Sequence, residues 1–303
     1  MKRLALATVV LTFVVVVVGA YVRLSDAGLG CPDWPLCYGR PIPEAAEDSR
    51  AWKEMGHRYL AGALGVLIFL LVLAAWRTRQ SPWLASAIAV LVVFQATLGK
   101  WTVTMLLKPA IVVAHLAGGM TLLALLVWFF LERSGAGAGA RALRVPAGVA
   151  LVVLAVQIVL GGWVSANYAA LACPDLPLCL GQAVPAMDFA NAFHLLRELG
   201  RTDSGELLPQ PALVAIHWSH RMFAMVALLV VAWAVFRAWR HVRILAALVA
   251  GLLVLQFSLG VANVALNLPL ALAAAHNAGA AALLVALVVL NFFAFREHPR
   301  SSP

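Results

Sequence analysis

Cys31-Pro-Asp-Trp-Pro-Leu-Cys37 recurs as Cys173-Pro-Asp-Leu-Pro-Leu-Cys179, and the echo spreads outward from these two loops. Upstream, Gly19-Ala-Tyr-Val22 is matched by Gly161-Gly-Trp-Val164. Downstream, His57-Arg58 is matched by His220-Arg221, Gln95-Ala-Thr-Leu-Gly99 by Gln256-Phe-Ser-Leu-Gly260, and Ala114-His115 by Ala275-His276. Cysteines, histidines and glycines return in one order, so each half is expected to be one structural unit carrying one site.

The chain has 303 residues, of which 63% are hydrophobic and 12% charged, and its mean hydropathy is +0.93. These values exclude a soluble globule. Apolar runs fall at roughly 4–22, 57–76, 83–103, 110–131, 145–165, 212–236, 244–266 and 271–295. Each is about 20 residues, enough for a helix to cross a hydrocarbon core of about 30 Å. Backbone groups cannot stay unpaired in lipid, so runs of this length mean helices. The expected fold is an all-α integral membrane protein of eight transmembrane helices, arranged as two pseudo-symmetric four-helix bundles. The N-terminal half is 1–133, a glycine-rich linker occupies 134–144, and the C-terminal half is 145–303. The first run is longer than a signal core and has a mid-chain partner at 145–165, so it is read as a retained helix.

Basic residues set the orientation. With the N-terminus in the cytoplasm, Lys2, Arg3, Arg77, Arg79, Arg133, Arg141, Arg144, Arg237, Arg240, Arg243, Arg296 and Arg300 lie on that side, opposed there only by Glu132 and Glu297. Asp26, Asp33, Glu44, Glu47, Asp48, Glu54, Asp175 and further acids lie on the other. The formal charge of +9 is then a topology signal, and no nucleic-acid partner is implied. Both termini are placed in the cytoplasm, and the long loops at about 23–56 and 166–211 outside the membrane. That places all the cysteines in an oxidising compartment.

His57, His115, His220 and His276 are each placed within about two turns of the outer end of their spans, two per half and at similar depth. An ionisable residue inside a span marks a functional site, and two histidines from facing helices can ligate a metal in a bundle. Haem iron fits better than zinc. The porphyrin supplies four ligands, whereas zinc needs three or four protein ligands and no acid or cysteine set accompanies each pair. Gly118, Gly119, Ala278 and Gly279 beside the histidines are expected to leave room for the macrocycle.

Arg58 and Arg221 suit bidentate pairing with a porphyrin propionate; the competing reading is an arginine snorkelling to water. Three residues before each first histidine the halves differ, with Glu54 in one and His217 in the other. A carboxylate on the histidine's own face suits proton relay, and the asymmetry points to one catalytic half served by the other. A solvated acid at a helix start is the alternative for Glu54. Short proline-kinked loops would bring Cys31 to Cys37 and Cys173 to Cys179 within bridging distance, as structural staples or as redox-active pairs. His194, His241 and His298 lack repeated partners and are read as solvated. Lys100, Trp101 and Trp34 are read as interfacial.

Together these residues resemble heme A synthase of the cysteine-containing bacterial type, along nearly the whole chain. The resemblance rests on the eight spans, the paired outer cysteines, Glu54-Met-Gly-His57-Arg58, Ser219-His220-Arg221, Ala114-His115 and Ala275-His276. It implies oxidation of the C8 methyl of heme O to the formyl of heme A by two successive hydroxylations. It also implies a haem b held by His220 and His276. His57 and His115 would then be ligands of the substrate haem, with Glu54, Cys31 and Cys37 needed for activity. No role for His217 carries over. Implied partners are heme O, the lipid bilayer, the farnesyltransferase that makes heme O, and an electron acceptor; a homo-oligomer stays open. Two rival classes remain: a bis-haem cytochrome that only passes electrons from quinol, and, ranked last, a membrane thiol oxidoreductase using the cysteines.

Overall fold

A computed structural model describes residues 1–44, 48–134 and 139–296. Outside it lie Glu47, residues 135–138 of the glycine-rich linker, and Glu297, His298 and Arg300 at the C-terminal end.

Long helices form wherever the chain is continuously apolar. In the first half these are α1 (Lys2–Leu24), α2 (Ser49–Thr78), α3 (Pro82–Thr104) and α4 (Pro109–Leu131). In the second half they are α5 (Arg144–Ala166), α7 (Gln210–Ala238), α8 (Arg243–Ala265) and α9 (Leu270–Phe295), with a single turn α6 (Phe189–Ala192) between α5 and α7. A short 3-10 turn, Arg141–Leu143, leads into α5. Eight of these segments are long and apolar enough to cross a membrane, and no strand occurs among the described residues. The protein is an integral membrane protein of eight spanning helices.

Local chemistry sets the ends of the helices. Proline opens α3 and α4, where its missing N–H would have had no partner anyway. Asp48 caps α2 by accepting from the Arg50 N–H. That cap starts α2 at Ser49, eight residues ahead of the apolar run expected from 57. The extra turns are polar (Arg50, Lys53, Glu54) and therefore invisible to hydropathy. His57 consequently sits in the third turn of α2 rather than within two turns of its end, and His220 lies ten residues into α7 from Gln210. Repetition reaches the tight turns as well. Leu106 and Leu107 between α3 and α4 take positive φ of 50° and 57°, as do Asn267 and Leu268 between α8 and α9 at 55° and 58°.

In the first half, α1 packs on α2 and α4, and α3 packs on α2 and α4. In the second half, α5 packs on α7 and α9, and α8 packs on α7 and α9. The two four-helix rings meet where α9 touches α1 and α4, and α4 touches α5. Within lipid, apolar burial offers little drive to helix association, so small residues and interhelical hydrogen bonds matter more. Here α9 meets that need with Ala273, Gly279, Ala281, Ala286 and Ala294 in its buried face. Asn291 of α9 donates to the Ala147 carbonyl of α5, within the second half, at 2.9 Å. Accordingly 61% of the α9 span is buried, against 11% for α8. Large apolar side chains such as Val66, Phe69, Val90, Leu229 and Ile244 stay exposed around the belt, as a lipid-facing surface requires.

Candidate functional site

Each bundle carries one histidine pair, and every histidine lies against a glycine of the neighbouring helix. A Cβ on Gly19 (α1) would come within 2.8 Å of the His57 ring, and one on Gly99 (α3) within 3.4 Å of His115. In the second half, Gly161 (α5) stands 3.0 Å from the His220 ring and Gly260 (α8) 3.1 Å from His276 by the same measure. Within each pair the rings interact electrostatically, His57 with His115 and His220 with His276. The repeated glycines of the sequence are thus seats for imidazoles. Gly118 and Gly279 do not supply the free space expected of them. Their hydrogen-side faces are covered by the amides of Gln95 and Gln256, which a Cβ there would strike.

Over each pair sits a cysteine loop of nearly identical construction. Cys31 is joined to Cys37 and Cys173 to Cys179, with Cα atoms 4.8 Å and 4.6 Å apart. Asp33 accepts from the backbone N–H groups of Tyr38 (2.7 Å) and Gly39 (2.8 Å). Asp175 does the same for Leu180 and Gly181, at 2.7 Å and 2.8 Å. The N–H of Gly181, with that of Leu180, holds the Asp175 carboxyl below the usual carboxylate range.

Arg58 and Arg221 tie these loops to the helices. Arg58 Nη1 donates to the carbonyls of Asp33 (3.0 Å) and Leu36 (2.6 Å). Arg221 donates to those of Asp175 and Pro177, each at 3.1 Å. The repeated arginine is neither snorkelling freely nor, in this arrangement, offering its full fork to an acid. It holds the loop.

Glu54 and His217 occupy equivalent places and make the same contact. Glu54 Oε2 accepts from the Cys31 N–H at 2.9 Å, and His217 Nδ1 accepts from the Cys173 N–H at 3.2 Å. Both residues are 4% exposed, which rules out the solvated-acid reading of Glu54. Its second oxygen, Oε1, pairs with Arg58 at 2.5 Å. The two halves therefore share the anchor and differ in its charge. A carboxylate paired with a guanidinium stands buried in one half, and in the other an imidazole takes the carboxylate's place with Arg221 nearby.

The donor set fits a haem rather than a bare ion. Among the described residues no three histidines, cysteines or acids gather to hold a metal by themselves. The Nδ1 atoms of His57, His115 and His276 are nonetheless buried without a protein partner. Buried polar atoms left over in pairs call for a ligand.

Sequence reasoning missed several partners. Gln157 of α5 touches His220, with its Nε2 3.1 Å from Nδ1. Arg197, fully buried in the second loop, donates to Asn167 Oδ1 beside Trp163. Arg23 of α1 donates to the Ser165 carbonyl of α5 at 2.9 Å, pinning the halves together. His194, expected to be solvated, is half-buried and lies 3.7 Å from Asp203. His241 is exposed as expected.

This duplicated arrangement can be set beside known proteins. Residues 2–288 match the COX15-CtaA family, described as cytochrome oxidase assembly protein. The chain belongs to that family. A curated relative from Shewanella oneidensis, named heme A synthase, is 40% identical over 97% of both chains. A heme A synthase from Caulobacter sp. (strain K31) is 28% identical over 91% of this chain and 90% of its own. One from Halalkalibacterium halodurans is 29% identical over 70% of this chain and 73% of its own. The family match runs through both cysteine loops and all four histidines.

Proposed function

We propose that this COX15-CtaA family member is a heme A synthase, oxidising the C8 methyl of heme O to a formyl group. The observation that carries the reading is the repeated histidine pair with a buried carboxylate, Glu54, in only one copy. In this reading the first half receives heme O, with His57 and His115 as ligands of the substrate iron. The second half keeps a haem b between His220 and His276. Bound there, haem b would supply one-electron redox chemistry.

The residues of the chain do the rest. With water as the source of oxygen, each of two successive hydroxylations of the methyl takes up one water and gives up two protons and two electrons. The resulting gem-diol loses water to leave the aldehyde, so protons must leave the site as the electrons pass to the acceptor. Glu54, three residues before His57 and on the same helical face, is the group that takes them up on its carboxylate oxygens. Arg58 stabilises the ionised carboxylate and, with Asp33, fixes the Cys31–Cys37 loop above the site. Cys31 is tied to Glu54 through its own N–H, so a change at the disulfide is felt at the carboxylate. The Cys173–Cys179 loop, anchored by neutral His217, serves as a staple.

The hydrophobic substrate enters from the bilayer. The cysteine loops face the outside of a bacterial plasma membrane, with both termini in the cytoplasm, as the basic residues near Arg77, Arg133 and Arg237 favour. Heme O synthase would deliver the substrate, and an electron acceptor would take the electrons released. A cytochrome that only passed electrons would have no use for a buried carboxylate in one half alone.

The test is expression with a heme O-producing farnesyltransferase in a host lacking heme A, followed by extraction and chromatography of the haems. Heme A, or its hydroxylated intermediate, is the expected product. Folded protein with neither would end the proposal.

A further inference from the structure

The two histidine pairs are supported unequally by their neighbours. In the second half, Gln157 Nε2 lies 3.1 Å from His220 Nδ1 and also reaches the His220 carbonyl at 3.2 Å. Gln256 Nε2 lies 3.3 Å from His276 Nε2, so His276 Nδ1 stays without a partner and the halves differ at the first histidine of each pair. In the first half the residue one turn before Gly19, matching Gln157 before Gly161, is Val15. His57 Nδ1 is buried there with no hydrogen-bond partner. The side-chain amide of Gln95, the counterpart of Gln256, makes no bond to the His115 ring. Its amide lies on Gly118 instead, and Nε2 has no partner.

An imidazole that gives one ring nitrogen to a metal carries its proton on the other. An acceptor for that N–H fixes the ring and raises the basicity of the ligand. An amide can meet the ring in either state. A half-turn about its last bond exchanges Nε2 with Oε1, and Oε1 of Gln157 is buried and otherwise unused. Such a turn gives up the Nε2 bond to the His220 carbonyl, which keeps its helical partner within α7, and the amide must swing off that carbonyl as Oε1 takes the ring N–H. A glutamine on a spanning helix is costly unless it is used, and Val15 shows that the fold does not require one at this place.

We propose that Gln157 is a positioning residue that makes the second-half haem resident, while Val15 leaves His57 a weakly supported ligand from which a haem can depart. The proposal rests on the reading that the first half handles a transient substrate and the second a permanent cofactor. It assigns the difference in haem exchange to a side chain outside both cysteine loops and both histidine pairs.

The test uses purified, haem-loaded protein and reads two quantities: the rate of haem loss to excess apomyoglobin, and the midpoint potential of the low-spin haem. Gln157→Leu should release that haem about 10-fold to 100-fold faster, the usual cost of removing a partner of a metal-bound histidine, and should raise its potential. Gln157→Glu, which restores an acceptor, should retain the haem and lower the potential below that of the unaltered protein. Mere packing would not move the two variants in opposite directions. If Gln157→Leu yields no loaded protein, Gln157→Glu decides: a lowered potential supports the proposal and an unchanged one overturns it. Val15→Gln should slow haem loss from the first half. Unaltered release and potential in Gln157→Leu, with the haem still dependent on His220, would overturn this inference while leaving the proposed function intact. A low-spin haem indifferent to His220→Ala would instead sink the reading beneath it, and the inference with it.

Discussion

The place three residues before the first histidine of each bundle is filled by Glu54 in one half and His217 in the other, yet both side chains accept a hydrogen bond from the first cysteine of their loop. Structural need is therefore common to the halves and does not explain the difference. A neutral imidazole suffices to hold Cys173. In the first half the same job is done by a carboxylate, at the cost of burying a charge that Arg58 must offset. The surplus charge is what the first half has for chemistry. In the second half the surplus lies one layer deeper, in the Gln157 amide beside His220 Nδ1. One copy of the repeat is equipped to move protons and the other to keep its ligands still.

Substitution at this shared place is the strongest way to break the comparison. Glu54→Ala should lower turnover by about 100-fold or more, the range expected for a proton-transfer group, while the low-spin haem stays bound. It also strips the Cys31 N–H and Arg58 of their acceptor, at about 1–3 kcal/mol for a buried unpaired group. His217→Ala should carry a similar structural cost in thermal unfolding and little loss of turnover. Equal loss in steady-state assays of the two variants would mean that both anchors act only on their loops. Glu54→His sharpens the point, because it restores the anchor without the charge and should remain inactive.

A smaller effect separates the glycine seats within the first half. A methyl on Gly19 would be forced to 2.8 Å from the His57 ring, closer than side chains tolerate, whereas on Gly99 it would meet His115 at an acceptable 3.4 Å. Gly19→Ala should reduce heme O turnover by about 10-fold through ring displacement, on the order of 1.4 kcal/mol. Gly99→Ala should stay near the unaltered rate in the same assay. Similar losses at both positions would show that the seats do not set ring placement.

Much of this was legible in the sequence because the repeat is written in residue types that are costly to misplace. Eight apolar runs become eight spanning helices, and four histidines fall into two pairs across facing helices. The start of α2 was not legible. Hydropathy averages over Arg50, Lys53 and Glu54, while the cap at Asp48 depends on a single side-chain contact. The work of Arg58 and Arg221 was hidden for a related reason, since their acceptors are backbone carbonyls of the loop, which carry no sequence signature. Gln157 stood in plain view as a polar residue on a spanning helix. Its meaning appeared only when α5 was laid against α1 through Gly161 and Gly19, which set it opposite Val15.

The division of labour between the halves is tested most directly by the haem spectrum of two variants purified without a heme O supply. His276→Ala should lose the low-spin haem signal, and His115→Ala should keep it at full stoichiometry. Loss in His115→Ala with retention in His276→Ala would contradict the account.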